Sequence, residues 1–148
     1  MIKEKITIIS NSEKETFNFA KDFVKQFKGG EIIELYGNLG SGKTIFTKGL
    51  AFGIGIKEVV NSPTFVIMKI YKIKKKYYKI KNLVHIDAYR INSDEDVVDI
   101  GIKEYFNRDD TVIIIEWAEN IKKIILQKNI KIKIKIINKN IRKIKINF

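Results

Sequence analysis

The sequence predicts an α/β fold: one domain spanning 1–148, with a mostly parallel central sheet flanked by helices and closed by a C-terminal antiparallel hairpin. Three observations predict it. A glycine-rich stretch, Gly37 to Thr44, separates an apolar strand-like run from a helix-like one. Val112 to Ile115 is continuously apolar, the mark of a strand covered on both faces. From Ile130 to Ile136 the chain alternates Ile with Lys, the period of a strand with one wet face, and Ile141 to Ile146 is similar. A chain of 148 residues has room for one such sheet and hardly for a second core.

The elements follow in order. Lys5 to Ser10 reads as a short strand, and Ser12-Glu13-Lys14-Glu15 matches a capping box that opens a helix. Phe17, Ala20, Phe23, Val24 and Phe27 recur along it at helical spacing, and Gly29-Gly30 stops it. Glu31 to Tyr36 is a strand aimed at the glycine-rich loop. A second helix is expected from about Lys43 to Phe52, ended by Gly53 and Gly55. After Pro63, the chain's only proline, Phe65 to Ile73 and Tyr77 to Ala88 read as two strands of a hairpin joined by a lysine-rich turn. Ser93 caps a short acidic helix whose first turn holds Asp94, Glu95 and Asp96, where negative charge suits the helix dipole. Gly101 breaks it before a helical turn at Ile102 to Phe106. The buried strand Thr111 to Ile115 then ends in Glu116-Trp117, and the final hairpin turns at Asn138-Lys139-Asn140.

Composition excludes several classes. There is no Cys and one His, so neither a disulfide framework nor a thiolate or multi-His metal site is available. No secretory signal or apolar stretch of membrane-spanning length is visible, which points to a cytoplasmic protein without a membrane partner. The net charge of +12 invites nucleic acid or phosphate ligands, but the excess lysine is dispersed among Ile and Asn along the whole chain, as compositional bias alone produces. Only Arg90, Arg108 and Arg142 supply a guanidinium fork.

Gly37-x-x-x-x-Gly42-Lys43-Thr44 matches the Walker A pattern in its required strand–loop–helix context, which makes the expected fold a P-loop NTPase domain. Small residues around Asn38, Leu39, Gly40, Ser41 and Gly42 let successive backbone N–H groups turn inward around phosphate oxygens, backed by the positive end of the following helix. Lys43 is expected to reach the β- and γ-phosphates of ATP, and the Thr44 hydroxyl to bind Mg²⁺. Such a site also needs a carboxylate at the end of a neighbouring apolar strand. Asp87, after Leu83 to Ile86, and Glu116, after Val112 to Ile115, both qualify: one can hold the metal and the other position or activate the attacking water. Spacing alone does not assign them.

Other residues carry weaker signals. Asn61 to Phe65 lies where a nucleotide-sensing loop would sit, and a Thr64 hydroxyl there can report on the γ-phosphate, although by itself the segment reads as a proline turn. His85 reads as a strand residue with a satisfied ring. Arg90 suits phosphate or a surface ion pair equally, and Trp117 suits stacking or plain packing.

Taken together, Gly37-Asn38-Leu39-Gly40-Ser41-Gly42-Lys43-Thr44, Ser62-Pro63-Thr64-Phe65, His85-Ile86-Asp87-Ala88-Tyr89-Arg90 and Ile115-Glu116-Trp117 closely resemble the bacterial TsaE family, also called YjeE. The resemblance is dense from Tyr36 to Asn120 and weak in the C-terminal hairpin. It implies an ATPase of the machinery that makes threonylcarbamoyladenosine beside the anticodon of tRNAs, at position 37. It implies that Thr44 and Glu116 help hold Mg²⁺, that Asp87 is needed for hydrolysis, and that Ser62, Pro63 and Thr64 form a switch-like loop. It further implies that Glu13 and Thr16 lie near the adenine, and that the partners are TsaD and TsaB homologues, tRNA being reached through their complex. Ala88 departs from the Leu common at that place, and the C-terminal part departs in being dominated by Ile and Lys.

Two other classes compete. A small-molecule P-loop kinase needs cations over the transferred phosphoryl group, and no Arg-rich lid is visible. A nucleic-acid-binding module using stretches such as Tyr71 to Lys79 leaves the Walker A loop unexplained. The scarcity of candidate arginine fingers also predicts slow hydrolysis by the isolated chain.

Overall fold

The computed structural model describes residues 4–58, 60–61, 68–77, 79–93, 96, 101–125 and 129–148. Its seven strands are β1 (Lys5–Ser10), β2 (Ile32–Tyr36), β3 (Met68–Tyr77), β4 (Ile80–Asp87), β5 (Thr111–Glu116), β6 (Ile130–Ile136) and β7 (Arg142–Asn147). The α-helices α1 (Glu13–Phe23) and α2 (Lys43–Ile54) accompany them. All seven strands form one sheet in the order β1-β7-β6-β2-β5-β4-β3.

The sheet is mixed, not mostly parallel. β6, β2, β5 and β4 run parallel through the middle, while β1–β7, β6–β7 and β3–β4 pair antiparallel. The reason lies in the connections, since a tight turn can only join antiparallel strands. The C-terminal hairpin forms as expected, and both its strands belong to this sheet. It is inserted between β2 and β1, so β6 becomes the parallel neighbour of the strand that leads into the glycine-rich loop.

β5 lies between β2 and β4, and all six of its residues are buried, as its unbroken apolar run requires. One face of the sheet carries Leu35, Leu83, Val112, Ile114, Ile132 and Ile146 beneath α1 and α2. The other carries Ile32, Val84, Ile86, Ile113 and Ile115 beneath 3₁₀ turns at Ile102–Glu104 and Ala118–Ile121. α1 and α2 thus lie on the same face of the sheet.

Ser12 caps α1 as expected, accepting from the Glu15 N–H at 3.1 Å. Glu15 reaches one residue further back than a standard capping box, to the N–H of Asn11 at 2.7 Å. The helix gives way at Val24 to a 3₁₀ turn through Gln26, before Gly29-Gly30. α2 continues through Gly53, which the sequence suggested as its end, and stops at Gly55 in the left-handed conformation. Gly53 stays helical because it and Gly49, one turn earlier, face α1. A Cβ on Gly49 would meet Ala20 Cβ at 2.7 Å, and one on Gly53 would meet Val24 Cγ2 at 2.5 Å.

β3 and β4 pair antiparallel, but the lysine-rich stretch lies within β3, which runs to Tyr77, and β4 begins at Ile80. β3 is an edge strand, where lysine is well tolerated. The part of the predicted strand from Phe65 to Ile67 and the loop Ser62, Pro63 and Thr64 lie outside the described residues, as does most of the acidic helix. Ser93 does accept from the Asp96 N–H at 3.4 Å, while Asp96 accepts from Asn92 N–H at 3.2 Å.

Candidate functional site

The glycine-rich loop joins the carboxyl end of β2 to the start of α2, in the middle of the sheet. Gly42 at the helix N-cap adopts φ 105°, a conformation that favours glycine, so no side chain intrudes on the first N–H groups of α2. Gly37 is small for a different reason: a Cβ there would come within 2.7 Å of the Ile134 carbonyl on β6. The inserted hairpin thus packs directly under the loop.

Lys43 folds back across the loop, its Nζ donating to the Gly37 carbonyl at 2.6 Å and the Asn38 carbonyl at 3.1 Å. The ammonium also lies 4.2 Å from the Trp117 ring centre. Burial lowers the Lys43 pKa below its usual value, and the negative charges of Glu116, Glu119 and Asp87 oppose that shift. The ammonium is thus held by two carbonyls and an aromatic face, with no ion pair within 4.0 Å among the described residues. Trp117 itself is held at φ 57°, unusual for a bulky residue, and packs on Tyr89 with ring centres 4.9 Å apart.

Both strand-end carboxylates arrive beside this lysine. β4 and β5 are adjacent and in parallel register, with Asp87 opposite Glu116, at the carboxyl edge of the sheet. Glu116 is 2 % exposed. Its Oε2 accepts from Thr44 Oγ1 at 3.3 Å, and its Oε1 faces Thr47 Oγ1 at 3.2 Å and His85 Nε2 at 2.9 Å. Asp87 Oδ1 accepts from the Tyr89 N–H at 3.0 Å, an Asx turn that carries the chain away from the strand. Lys43, Thr44, Asp87 and Glu116 are therefore brought to one place.

Beside the loop, α1 contributes to a cleft of about 540 Å³. Glu13 and Thr16 line it from α1, Gly40, Ser41 and Gly42 from the loop, and Arg142 from the C-terminal hairpin. Thr16 is nearly buried and shares a 2.7 Å hydrogen bond with Ser10. Leu39, at the tip of the loop, is 79 % exposed.

Several site residues carry no strong sequence signal. Arg142 donates to the carbonyls of Ser41 at 3.1 Å and Gly40 at 3.2 Å, and to that of Asn138 at 2.7 Å. It braces the loop from 101 residues away, which no local pattern reveals. Thr47 lies three positions after Thr44, one helical turn along the same face, and that spacing was readable. The His85 ring is not fully satisfied as the sequence suggested, because its Nδ1 has no partner among the described residues.

Among the described residues, no cluster of three or more His, Asp or Glu side chains could hold a metal ion. Thr44 and Glu116 offer two oxygens near the loop, a set that suits Mg²⁺, which commonly takes one or two protein oxygens and completes its shell with phosphates and water.

Fold and site define a class: a mixed-sheet α/β protein in which a Walker A loop leaves the central strand, flanked by two strand-end carboxylates. Within that class the chain belongs to the TsaE family, whose model, described as threonylcarbamoyl adenosine biosynthesis protein TsaE, matches residues 10–144. The tRNA threonylcarbamoyladenosine biosynthesis protein TsaE of Rickettsia typhi is 39 % identical over 133 residues, covering 89 % of this chain and 88 % of that protein. Its counterpart in Bacillus subtilis is 40 % identical over 122 residues, covering 82 % of this chain and 72 % of that one. The crystal structure of Bacillus subtilis YdiB superposes with a TM-score of 0.79 at 30 % identity, covering 99 % of this chain and 87 % of that one. No described helix is long and apolar enough to cross a membrane.

Proposed function

We propose that this chain is a single-domain P-loop ATPase that binds ATP with Mg²⁺ in the loop 37–44 and hydrolyses it. The observation that carries the reading is the buried ammonium of Lys43, held on the carbonyls of Gly37 and Asn38 beside the Thr44–Glu116 pair. An incoming triphosphate offers that ammonium stronger, charged acceptors in place of two carbonyls. The N–H groups at the start of α2 point into the same space and bind phosphate oxygens together with the helix dipole.

Thr44 and Glu116 would hold Mg²⁺, which when bound supplies positive charge against the phosphate oxygens. Asp87, beside Glu116 but engaged differently, orients the attacking water for in-line displacement at the γ-phosphorus. The cleft between Gly40–Gly42 and the start of α1 receives the nucleoside, so Glu13 and Thr16 serve the base and sugar. Ser62, Pro63 and Thr64 act as the loop that senses the γ-phosphate. Membership of the TsaE family supports a cellular role in tRNA threonylcarbamoyladenosine formation, with TsaD and TsaB homologues as partners in the cytoplasm and any tRNA contact made through them. The kinase alternative draws little from the arginines: Arg108 is paired with Asp110 and Arg142 is committed to the loop carbonyls.

Calorimetric titration with ATP and Mg²⁺ tests the reading. Saturable binding by the wild type, lost in Lys43→Ala, supports it. Indifference to that substitution would refute it.

A further inference from the structure

The Glu116 carboxylate has two unlike sides. Oε2 faces Thr44 and the open loop, while Oε1 points back into the protein toward Thr47 and His85. A hydroxyl has one proton to give, and that of Thr47 has the Lys43 carbonyl at 3.0 Å as a nearer acceptor than Glu116 at 3.2 Å. His85 Nε2, at 2.9 Å, is then the principal donor to Oε1.

From this geometry we infer that His85 is a positioning residue: by holding Glu116 Oε1 from behind, it aims Oε2 at Thr44 and so sets how tightly the nucleotide complex takes up Mg²⁺. The inference rests on the ATP and Mg²⁺ reading given above. His85 is fully buried on β4, two residues before Asp87 on the same face. Its companions there include Leu83, Val112 and Ile114. Replacing the whole buried pair by apolar side chains would cost little, whereas an apolar residue at position 85 alone would leave the buried Glu116 carboxylate without its principal donor. The polar ring must therefore serve its partner. With Nε2–H directed at Glu116, Nδ1 is left without a hydrogen-bond partner among the described residues, a cost that packing alone does not explain. Groups that orient a metal-binding carboxylate or imidazole in this way commonly change metal affinity by about 10–100-fold when removed.

The test compares His85→Leu, which removes the donor, with His85→Gln, whose amide nitrogen reaches about as far as Nε2. The affinity for a non-hydrolysable ATP analogue is measured calorimetrically without metal and at increasing Mg²⁺, alongside thermal melting. The expected result is metal-free affinity within about twofold of wild type in both variants, and a Mg²⁺ requirement raised about tenfold or more in His85→Leu and restored in His85→Gln. If the leucine variant does not fold, His85→Asn, whose amide stops short of Glu116, takes its place and is expected to behave as the leucine variant would. A Mg²⁺ requirement equal to wild type in the donor-less variant overturns the inference, as does loss of metal-free binding in step with lowered melting in all variants. A wild-type chain that binds the analogue but gains nothing from Mg²⁺ overturns it together with the metal reading. A wild-type chain that binds no analogue at all brings down the ATP reading itself.

Discussion

Thr44 and Glu116 are separated by 72 positions in the chain, yet the hydroxyl of one lies 3.3 Å from a carboxylate oxygen of the other. The contact joins the first turn of α2 to the end of β5 beneath the glycine-rich loop. If this pair holds Mg²⁺, Thr44→Val should leave metal-free ADP binding nearly intact and weaken the response to Mg²⁺ by about tenfold or more. Equilibrium titrations with and without EDTA check this. Equal losses under both conditions would mean that Thr44 acts on the loop and not on the metal.

Asp87 and Lys43 should separate binding from turnover. Lys43→Ala removes the cation that faces the phosphates and is expected to abolish measurable ATP binding. Asp87→Ala should bind ATP within a fewfold of wild type and lose turnover by about 10²-fold or more, the usual range for a lost general base or water-positioning group. Single-turnover assays at saturating ATP make the comparison. Parallel loss of affinity in both variants would undo the division of roles.

Burial lowers the pKa of Lys43, whereas a bound triphosphate raises it. ATP binding should therefore take up protons at alkaline pH, and affinity should fall as pH rises through the lowered value. Titrations in buffers of different ionisation enthalpy read the uptake directly. The stability of the nucleotide-free protein has the opposite trend from this group. Between the lowered folded value and the ordinary one near 10.5, the unfolded state binds more protons, so the Lys43 contribution to stability rises with pH.

Arg142 braces the loop through the carbonyls of Gly40 and Ser41. In Arg142→Ala both contacts are lost, each a hydrogen bond from a charged donor. A loss of about 1–3 kcal/mol in nucleotide affinity follows, divided between loop disorder and weaker phosphate binding. Arg142→Lys should recover little, because one ammonium does not reproduce the fork. Unchanged affinity in the alanine variant would show that the loop holds its shape without the brace.

At Gly53 two effects oppose each other. Alanine is the better helix former by about 1 kcal/mol. Against this, its Cβ would press on the Lys21 carbonyl and on Val24 Cγ2, a backbone and a core contact that cannot swing aside. Overpacking of that kind costs about 1–3 kcal/mol, so Gly53→Ala should lower the melting temperature by several degrees. A rise in melting temperature would show that the helix pair can separate cheaply.

Much of the site was legible in the sequence because its signals are local. The loop with its flanking strand and helix, the capping Ser12, and the carboxylates at the ends of apolar runs all depend on neighbours within a few residues. What the sequence hid is what the sheet order creates. Nothing local says that β6 lies beside β2, and hence that Arg142 and the Ile134 carbonyl reach the loop. Both hairpins were readable as antiparallel pairs, but nothing local says that each joins the one central sheet and so makes it mixed. His85 looked like an ordinary strand residue, because only the register of β4 on β5 brings it to Glu116.

An ATPase that works with Mg²⁺ as part of a complex has a direct kinetic signature. ATP hydrolysis should be measured for the chain alone and with the TsaD and TsaB homologues of the same organism, with and without Mg²⁺, with Lys43→Ala as the blank. Slow hydrolysis by the isolated chain and strong stimulation by the pair are expected, absent without Mg²⁺ and absent in the variant. Hydrolysis no faster than the Lys43→Ala blank under every condition would contradict the ATPase reading.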